Sequence, residues 1–170
     1  MRVLLFGNAG SGKTYYAEHL ARRHHLAHLD LDSTVWEPGQ VGVLRPKARV
    51  TEDLTRFLDA NSRWVIEGCY SEWVAWVAGD CTELVFMNPG EAVCIANCSV
   101  RPWEPNKYPS KQAQDERLPL LLEWVHGYYV RDDEWSLARH RLLFRGHDGS
   151  KREVAAPLTL RNGDGDGDAG

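Results

Sequence analysis

Four short apolar runs, each closed by acidic residues, glycine or a polar break, set the rhythm of this chain. They are Val3-Leu4-Leu5-Phe6, Ala27 to Asp32, Trp64 to Gly68 and Thr82 to Met87. Short, continuously apolar runs are the pattern of strands buried on both faces. Helical patterns lie between them. Tyr15 to His25 turns Tyr16, Leu20 and Leu26 inward and Glu18, Arg22 and Arg23 outward. Thr51 can cap a helix through Leu54, Phe57 and Leu58, and further helices are expected over Glu72 to Ala78 and Glu91 to Val100. Thr34 to Val50 is rich in Gly and Pro and reads as a loop. The alternation predicts an α/β fold, a parallel sheet covered on both faces, with ligands at the carboxyl ends of the strands.

The pattern changes beyond residue 100. Arg101 to Lys111 holds three prolines, three cations and two aromatics, so it reads as an irregular loop. Gln112 to Tyr129 is strongly helical in pattern. Trp135 to Phe144 continues as a helix, although Arg141-Leu142-Leu143-Phe144 fits either its end or a fifth strand. Asn162 to Gly170 alternates Gly and Asp with nothing to bury, which predicts a disordered tail behind a single domain over residues 1–161.

Composition narrows the setting more than the chemistry. The chain of 170 residues suits one full-sized core, and its formal charge of −4 makes a nucleic-acid partner unexpected. No apolar run is long enough for a membrane span, and the first is too short for a secretory signal, so a cytoplasmic protein is expected, either monomer or homodimer. Cys69, Cys81, Cys94 and Cys98 form no C-x-x-C pair and are expected as free thiols.

The chemistry starts directly after the first strand. Gly7-Asn8-Ala9-Gly10-Ser11-Gly12-Lys13-Thr14 has the spacing G-x-x-x-x-G-K-T of a phosphate-binding loop, between a strand and a helix as that loop requires. Glycines let successive backbone N–H groups converge on phosphate oxygens, and the helix N-terminus adds its dipole. Lys13 then serves the outer phosphates, Thr14 offers a hydroxyl to Mg2+, and Tyr15 follows on the first turn. ATP or another triphosphate with Mg2+ is the expected cofactor. Asn106-Lys107-Tyr108-Pro109 lacks the acid of a guanine-reading N-K-x-D element, which argues against a GTPase. Asp30, Asp32 and Glu67 fall at strand ends near the loop. Each has a bland alternative as a solvated turn residue.

Phe6 to Thr14, Leu29 to Asp32 and Trp64 to Gly68 resemble the small P-loop kinases of the adenylate kinase and shikimate kinase type, including adenylate-kinase-related topology modulators. The resemblance covers residues 1 to about 100 well and the remainder loosely. It implies a three-layer P-loop fold with a lid over 101–117, and transfer of the γ-phosphate of Mg-ATP to a small-molecule acceptor hydroxyl. Position by position, it implies Asp30 near the metal and Asp32 as acceptor ligand or base. Glu67 either supports the metal through water or contacts the acceptor. Glu67-Gly68-Cys69-Tyr70 departs from the glycine run of shikimate kinases, which argues against shikimate as the acceptor. Arg45 and Arg49 stand where adenylate kinases hold a second nucleotide, without a matching motif.

The resemblance makes Arg101 and Lys107 the leading lid cations, with Lys111 behind them and Arg131 a further phosphate contact in the following helix. Trp36 and Tyr70, with Trp73, offer an aromatic wall suited to a ring. The competing reading is a nucleotide-dependent regulatory or binding protein without a small-molecule acceptor, for which the segment rich in proline and tryptophan would be a docking surface.

Overall fold

The computed structural model describes residues 1–38, 42–105 and 107–158. Five strands, β1 (Arg2–Gly7), β2 (Ala27–Asp30), β3 (Trp64–Gly68), β4 (Glu83–Met87) and β5 (Lys151–Val154), form one sheet in the order β2-β3-β1-β4-β5. Every pairing is parallel. The helices α1 (Lys13–His24), α2 (Asp32–Val35), α3 (Lys47–Ala60), α4 (Ser71–Val77), α5 (Glu91–Ser99), α6 (Lys111–Gly127) and α7 (Leu137–Gly146) make up the rest of the regular structure. Among the described residues, no helix is long and apolar enough to cross a membrane. The proposed domain end at 161 and the tail over 162–170 lie outside the described residues.

The strand alternation explains the two buried layers. Leu4, Phe6, Ile66, Leu84 and Phe86 point to one face, where they pack with Val50, Leu54 and Val74 from the covering helices. Val3, Leu5, Val65, Val85 and Met87 point to the other and meet Ala17 and Leu20 of α1. Side chains of this kind contribute about 1.5–3 kcal/mol each when fully buried. A smaller apolar cluster, Cys94, Cys98 and Val125, joins α5 to α6. All four cysteines are free thiols.

Register carries this alternation to the end of the sheet where the chemistry sits. Glu67 pairs with Leu5 on one side and Asp30 on the other. Parallel partners share a face, so Glu67 and Asp30 both lie on the side covered by α1.

Two local expectations need correction, and one left open is decided. The second strand ends at Asp30, and Asp32 opens the short helix α2, because the Asp32 N–H turns back to Asp30 Oδ1 at 2.9 Å. Helix α3 begins at Lys47 behind Pro46, not at Thr51, since Pro46 carbonyl accepts from Arg49 and Val50. Residues 141–144 are helical, within α7. The fifth strand is Lys151–Val154, whose charged residues suit an edge: Arg152 reaches Glu83 Oε1 at 2.6 Å and the Tyr16 hydroxyl at 2.6 Å.

Candidate active site

The glycine loop closes β1 and opens α1, as its spacing predicts. Gly10 adopts φ +74°, and a side-chain Cβ there would lie 2.3 Å from the Cys94 carbonyl oxygen. Only glycine lets the loop pass that close to α5 with a left-handed backbone. Two side-chain amides brace the turn. Asn8, 2% exposed, donates to the Val125 carbonyl at 3.0 Å and accepts from the Ala9 N–H at 2.8 Å. Asn97 donates to the Gly10 carbonyl at 2.8 Å. Lys13 folds back over the loop, its Nζ 2.8 Å from the Asn8 carbonyl. The Ser11 hydroxyl is buried with no hydrogen-bond partner. Such an orphan donor inside a concave backbone cradle fits a phosphate oxygen. Tyr15 is exposed on the first turn of α1.

Three carboxylates gather beside the loop. Glu67 is 2% exposed and accepts from Thr14 Oγ1 at 2.7 Å, which joins the end of β3 to the start of α1. That burial excludes the surface-turn alternative for Glu67. It also sets Glu67 against the very hydroxyl that the loop offers to a metal. Desolvation raises the Glu67 pKa, with Lys13 and Thr14 opposing. Asp30 is pushed up to about 7 by burial first and then by the charges of Glu67 and Asp32. Asp32 behaves oppositely: burial would raise it, but Lys107 and the Tyr70 hydroxyl hold it below the ordinary carboxylate range.

A carboxyl raised in this way has a definite consequence for stability. Between about pH 4 and pH 7 the folded chain binds more protons at Asp30 than the unfolded chain does. This contribution to stability therefore falls as pH rises through that window. With no metal present, Asp30→Asn should raise the Tm at pH 8 by about 3–6 °C and by much less at pH 5. Thermal melts at the two pH values check this; equal shifts at both would remove the electrostatic account.

Asp32 is the most fully engaged of the three acids. Its Oδ1 accepts from Tyr70 Oη at 2.5 Å, and Tyr70 Oη accepts from Trp36 Nε1 at 2.5 Å. Its Oδ2 meets Lys107 Nζ at 3.0 Å. Tyr70 is only 3% exposed and bonded on both sides of its hydroxyl, so it offers little surface for an aromatic wall. Trp73 is a core residue. The turn that carries Tyr70 is supported from behind by His140, whose Nε2–H donates to the Cys69 carbonyl at 3.1 Å while Nδ1 accepts from the Tyr128 hydroxyl at 2.9 Å. Burial lowers the His140 pKa to about 4, so the ring is neutral and both bonds persist.

The segment before α6 folds back over this group. Glu104 was not foreseen from the sequence, and it organises the cations: Arg101 lies 2.9 Å from one of its oxygens and Lys107 3.2 Å from the other. Gln114 clamps the loop, accepting from the Glu104 N–H at 2.8 Å and donating to the Pro102 carbonyl at 3.0 Å. The irregular stretch ends at Ser110, whose hydroxyl caps α6 by accepting from the Ala113 N–H. Residues 111–117 of the expected lid are therefore helical, and Lys111 pairs within that helix with Asp115.

The remaining predicted cations hold structure. Arg131 donates to the Trp135 carbonyl at 2.9 Å, pairs with Asp133 and stacks 3.8 Å over Trp124. Arg45 pairs with Asp53 at 2.7 Å and donates to the Thr34 carbonyl, and Arg49 pairs with Glu52.

The residues present fit a magnesium-bound triphosphate. The loop offers the Lys13 ammonium and a buried, unpartnered Ser11 hydroxyl, while Thr14 and two neighbouring carboxylates supply hard oxygen ligands. Magnesium commonly takes only one or two protein carboxylates and completes its shell with phosphate and water. Among the described residues, no group of three or more His, Cys, Asp or Glu is placed to hold a metal ion by itself.

No family model matches the chain, and no curated protein matches it. Solved structures do. An unliganded sugar kinase from Janibacter sp. aligns with a TM-score of 0.51 over 90% of this chain and 83% of that one, at 15% identity. TT1252 from Thermus thermophilus aligns with a TM-score of 0.50 over 91% and 88%, at 14% identity. The likeness is one of fold, and it agrees with the five-stranded parallel sheet: the chain has the three-layer P-loop NTPase fold.

Proposed function

We propose that the protein is an ATP-dependent phosphotransferase that acts on a hydroxyl of an uncharged small molecule. One observation carries the reading. Asp32 stands beside the phosphate loop, and the cation that meets it is a lysine from the covering segment. A phosphate-loop enzyme uses a group beyond the metal pair to orient the attacking oxygen, a water in an ATPase and a hydroxyl in a kinase. In a kinase that group aligns the acceptor oxygen with the terminal phosphate.

Residue roles follow from this reading. The backbone N–H groups from Gly10 to Thr14, together with Lys13 and Ser11, would hold the phosphates. Thr14, Asp30 and Glu67 would hold Mg2+, directly or through water, so Glu67 takes the metal-side role of its two alternatives. When bound, the magnesium triphosphate supplies the phosphoryl group and offsets charge between the outer phosphates. Asp32 accepts the hydrogen bond of the acceptor hydroxyl and takes its proton as the new ester bond forms. Lys107 and Arg101, on the segment that covers the site, would favour the charge that develops on the transferred group once Glu104 and Asp32 release them.

The pairing of the cations supports an uncharged acceptor. Arg45, Arg49, Arg101, Arg131 and Lys107 each already face a carboxylate. Lys13 serves the donor. An acceptor bearing a carboxylate or phosphate would meet Asp30, Asp32 and Glu67 without a dedicated counter-charge. The sugar kinase among the solved structures with this fold is consistent with a polyol acceptor.

The test is ADP release with Mg-ATP across matched acceptors. Neutral polyols, sugars and nucleosides should include the stimulating compounds, and their carboxylated or phosphorylated counterparts should stimulate at least ~10-fold less, the discrimination that about 1.4 kcal/mol provides. Stimulation by the anionic members alone would overturn the assignment of acceptor class.

A further inference from the structure

We infer that Tyr70, tethered by Trp36, is a positioning residue that pins Oδ1 of Asp32 and leaves Oδ2 as the oxygen that faces the acceptor hydroxyl. The inference rests on the kinase reading for its role in catalysis, though the hydrogen-bond chain itself can be tested without it.

The direction of the chain is forced by the groups in it. An indole N–H can only donate, so the Tyr70 oxygen must accept from Trp36 Nε1. The single phenolic proton is then left for Asp32 Oδ1, which an ionised carboxylate can only accept. Tyr70 cannot serve as a proton store in this arrangement, because burial and the Asp32 charge both raise its pKa. The chain joins the two ends of α2 to the start of α4. Asp32 opens α2, Trp36 lies directly behind its last residue, and Tyr70 precedes α4. The two rings also meet edge-on, with centroids 6.2 Å apart and an interplanar angle of 65°. Trp36 is held in turn by a backbone bridge to Leu44.

The two partners of Asp32 differ in permanence. Tyr70 is 3% exposed, packed in the main core cluster and bonded on both sides. Lys107 comes from an irregular loop and keeps 37% of its side-chain surface accessible. Of the two, only the lysine can be displaced without opening the core. An arriving hydroxyl can therefore replace the ammonium on Oδ2, while Oδ1 stays bonded. Without the Tyr70 bond the carboxylate could rotate and present either oxygen over a range of angles. Misplacement of a reacting group by about 1 Å can cost ~100-fold.

The test uses a double-mutant cycle with water as the acceptor, followed as ADP release from Mg-ATP over hours, in full-length protein. Tyr70→Phe keeps the ring and its packing. In the otherwise native chain it should lower turnover by ~10- to 100-fold, with KM for ATP changed less than about twofold. Trp36→Phe should lower turnover by a smaller factor. In an Asp32→Ala background, Tyr70→Phe should change nothing further, because its partner is already gone. An equal loss in both backgrounds would mean that Tyr70 acts through packing, and would overturn the inference.

A second readout needs no turnover and no acceptor. The indole N–H cross-peak of Trp36 should be slow to exchange in the native protein, and it should move on Tyr70→Phe and on Asp32→Ala. A cross-peak indifferent to Tyr70→Phe would show that the chain does not exist in solution. If the chain is present by this measure while no acceptor is phosphorylated, the kinase reading fails and the hydrogen-bond assignment stands.

Discussion

Lys13→Ala is expected to lower phosphoryl transfer by about three orders of magnitude while leaving the fold intact. Lys13 is 9% exposed and its ammonium rests on the Asn8 carbonyl, so it is a mobile charge parked on the loop that it serves. Its removal leaves the loop braced. Asn8 keeps its bonds to Val125 and Ala9, and Asn97 keeps its bond to Gly10. The loss should therefore fall on the charged phosphates of the bound donor and on the transition state, not on folding. The measurement pairs steady-state transfer with a thermal melt. A Tm within about 3 °C of the native chain together with the collapse in rate is the expected result. Native transfer rates in this variant would remove Lys13 from the site.

Asp32→Asn is expected to reduce transfer by a comparable factor while nucleotide affinity changes less than about threefold, because a neutral amide can orient a hydroxyl but cannot take its proton. The substitution is nearly isosteric. The amide oxygen can still accept from Tyr70, so the chain from Trp36 survives, while the Oδ2 position becomes an NH2 that donates and can take no proton. Lys107 would lose one of its two carboxylate partners and retain Glu104. Isothermal titration with ATP and Mg2+, set beside transfer kinetics, separates the outcomes. A large loss of nucleotide affinity with little change in turnover would move Asp32 into the metal shell.

Much of the candidate site's placement was legible in the sequence because its parts are local. A G-x-x-x-x-G-K-T loop between an apolar run and a helix is a contiguous signal, and strands β1, β3 and β4 are short apolar runs that can hardly be placed elsewhere. The acids Asp30 and Glu67 were found because they end such strands. What escaped depends on contacts remote in sequence. β5 consists of Lys151-Arg152-Glu153-Val154, and its charges are tolerated only because it lies at the sheet edge with Arg152 against Glu83 and Tyr16. Glu104 carries no motif, and its grip on Arg101 and Lys107 emerges only when the loop folds back. The arginines Arg45 and Arg131 looked available for phosphate, but residues 8 and 2 positions further along the chain, Asp53 and Asp133, claim their charges. Tyr70 and Trp36 were read as a wall because an aromatic side chain is legible in a sequence and the direction of its hydrogen bond is not.

The central claim is that the phosphate loop and Asp32 form the two halves of one transfer site. It is tested most directly by 31P NMR of Mg-ATP incubated with the protein and neutral polyol, sugar and nucleoside acceptors. The account predicts a new phosphate-ester resonance that grows in step with ADP and is absent from the Lys13→Ala and Asp32→Asn variants. Inorganic phosphate as the sole product with every acceptor would contradict it, and would make the protein a nucleotide-dependent ATPase.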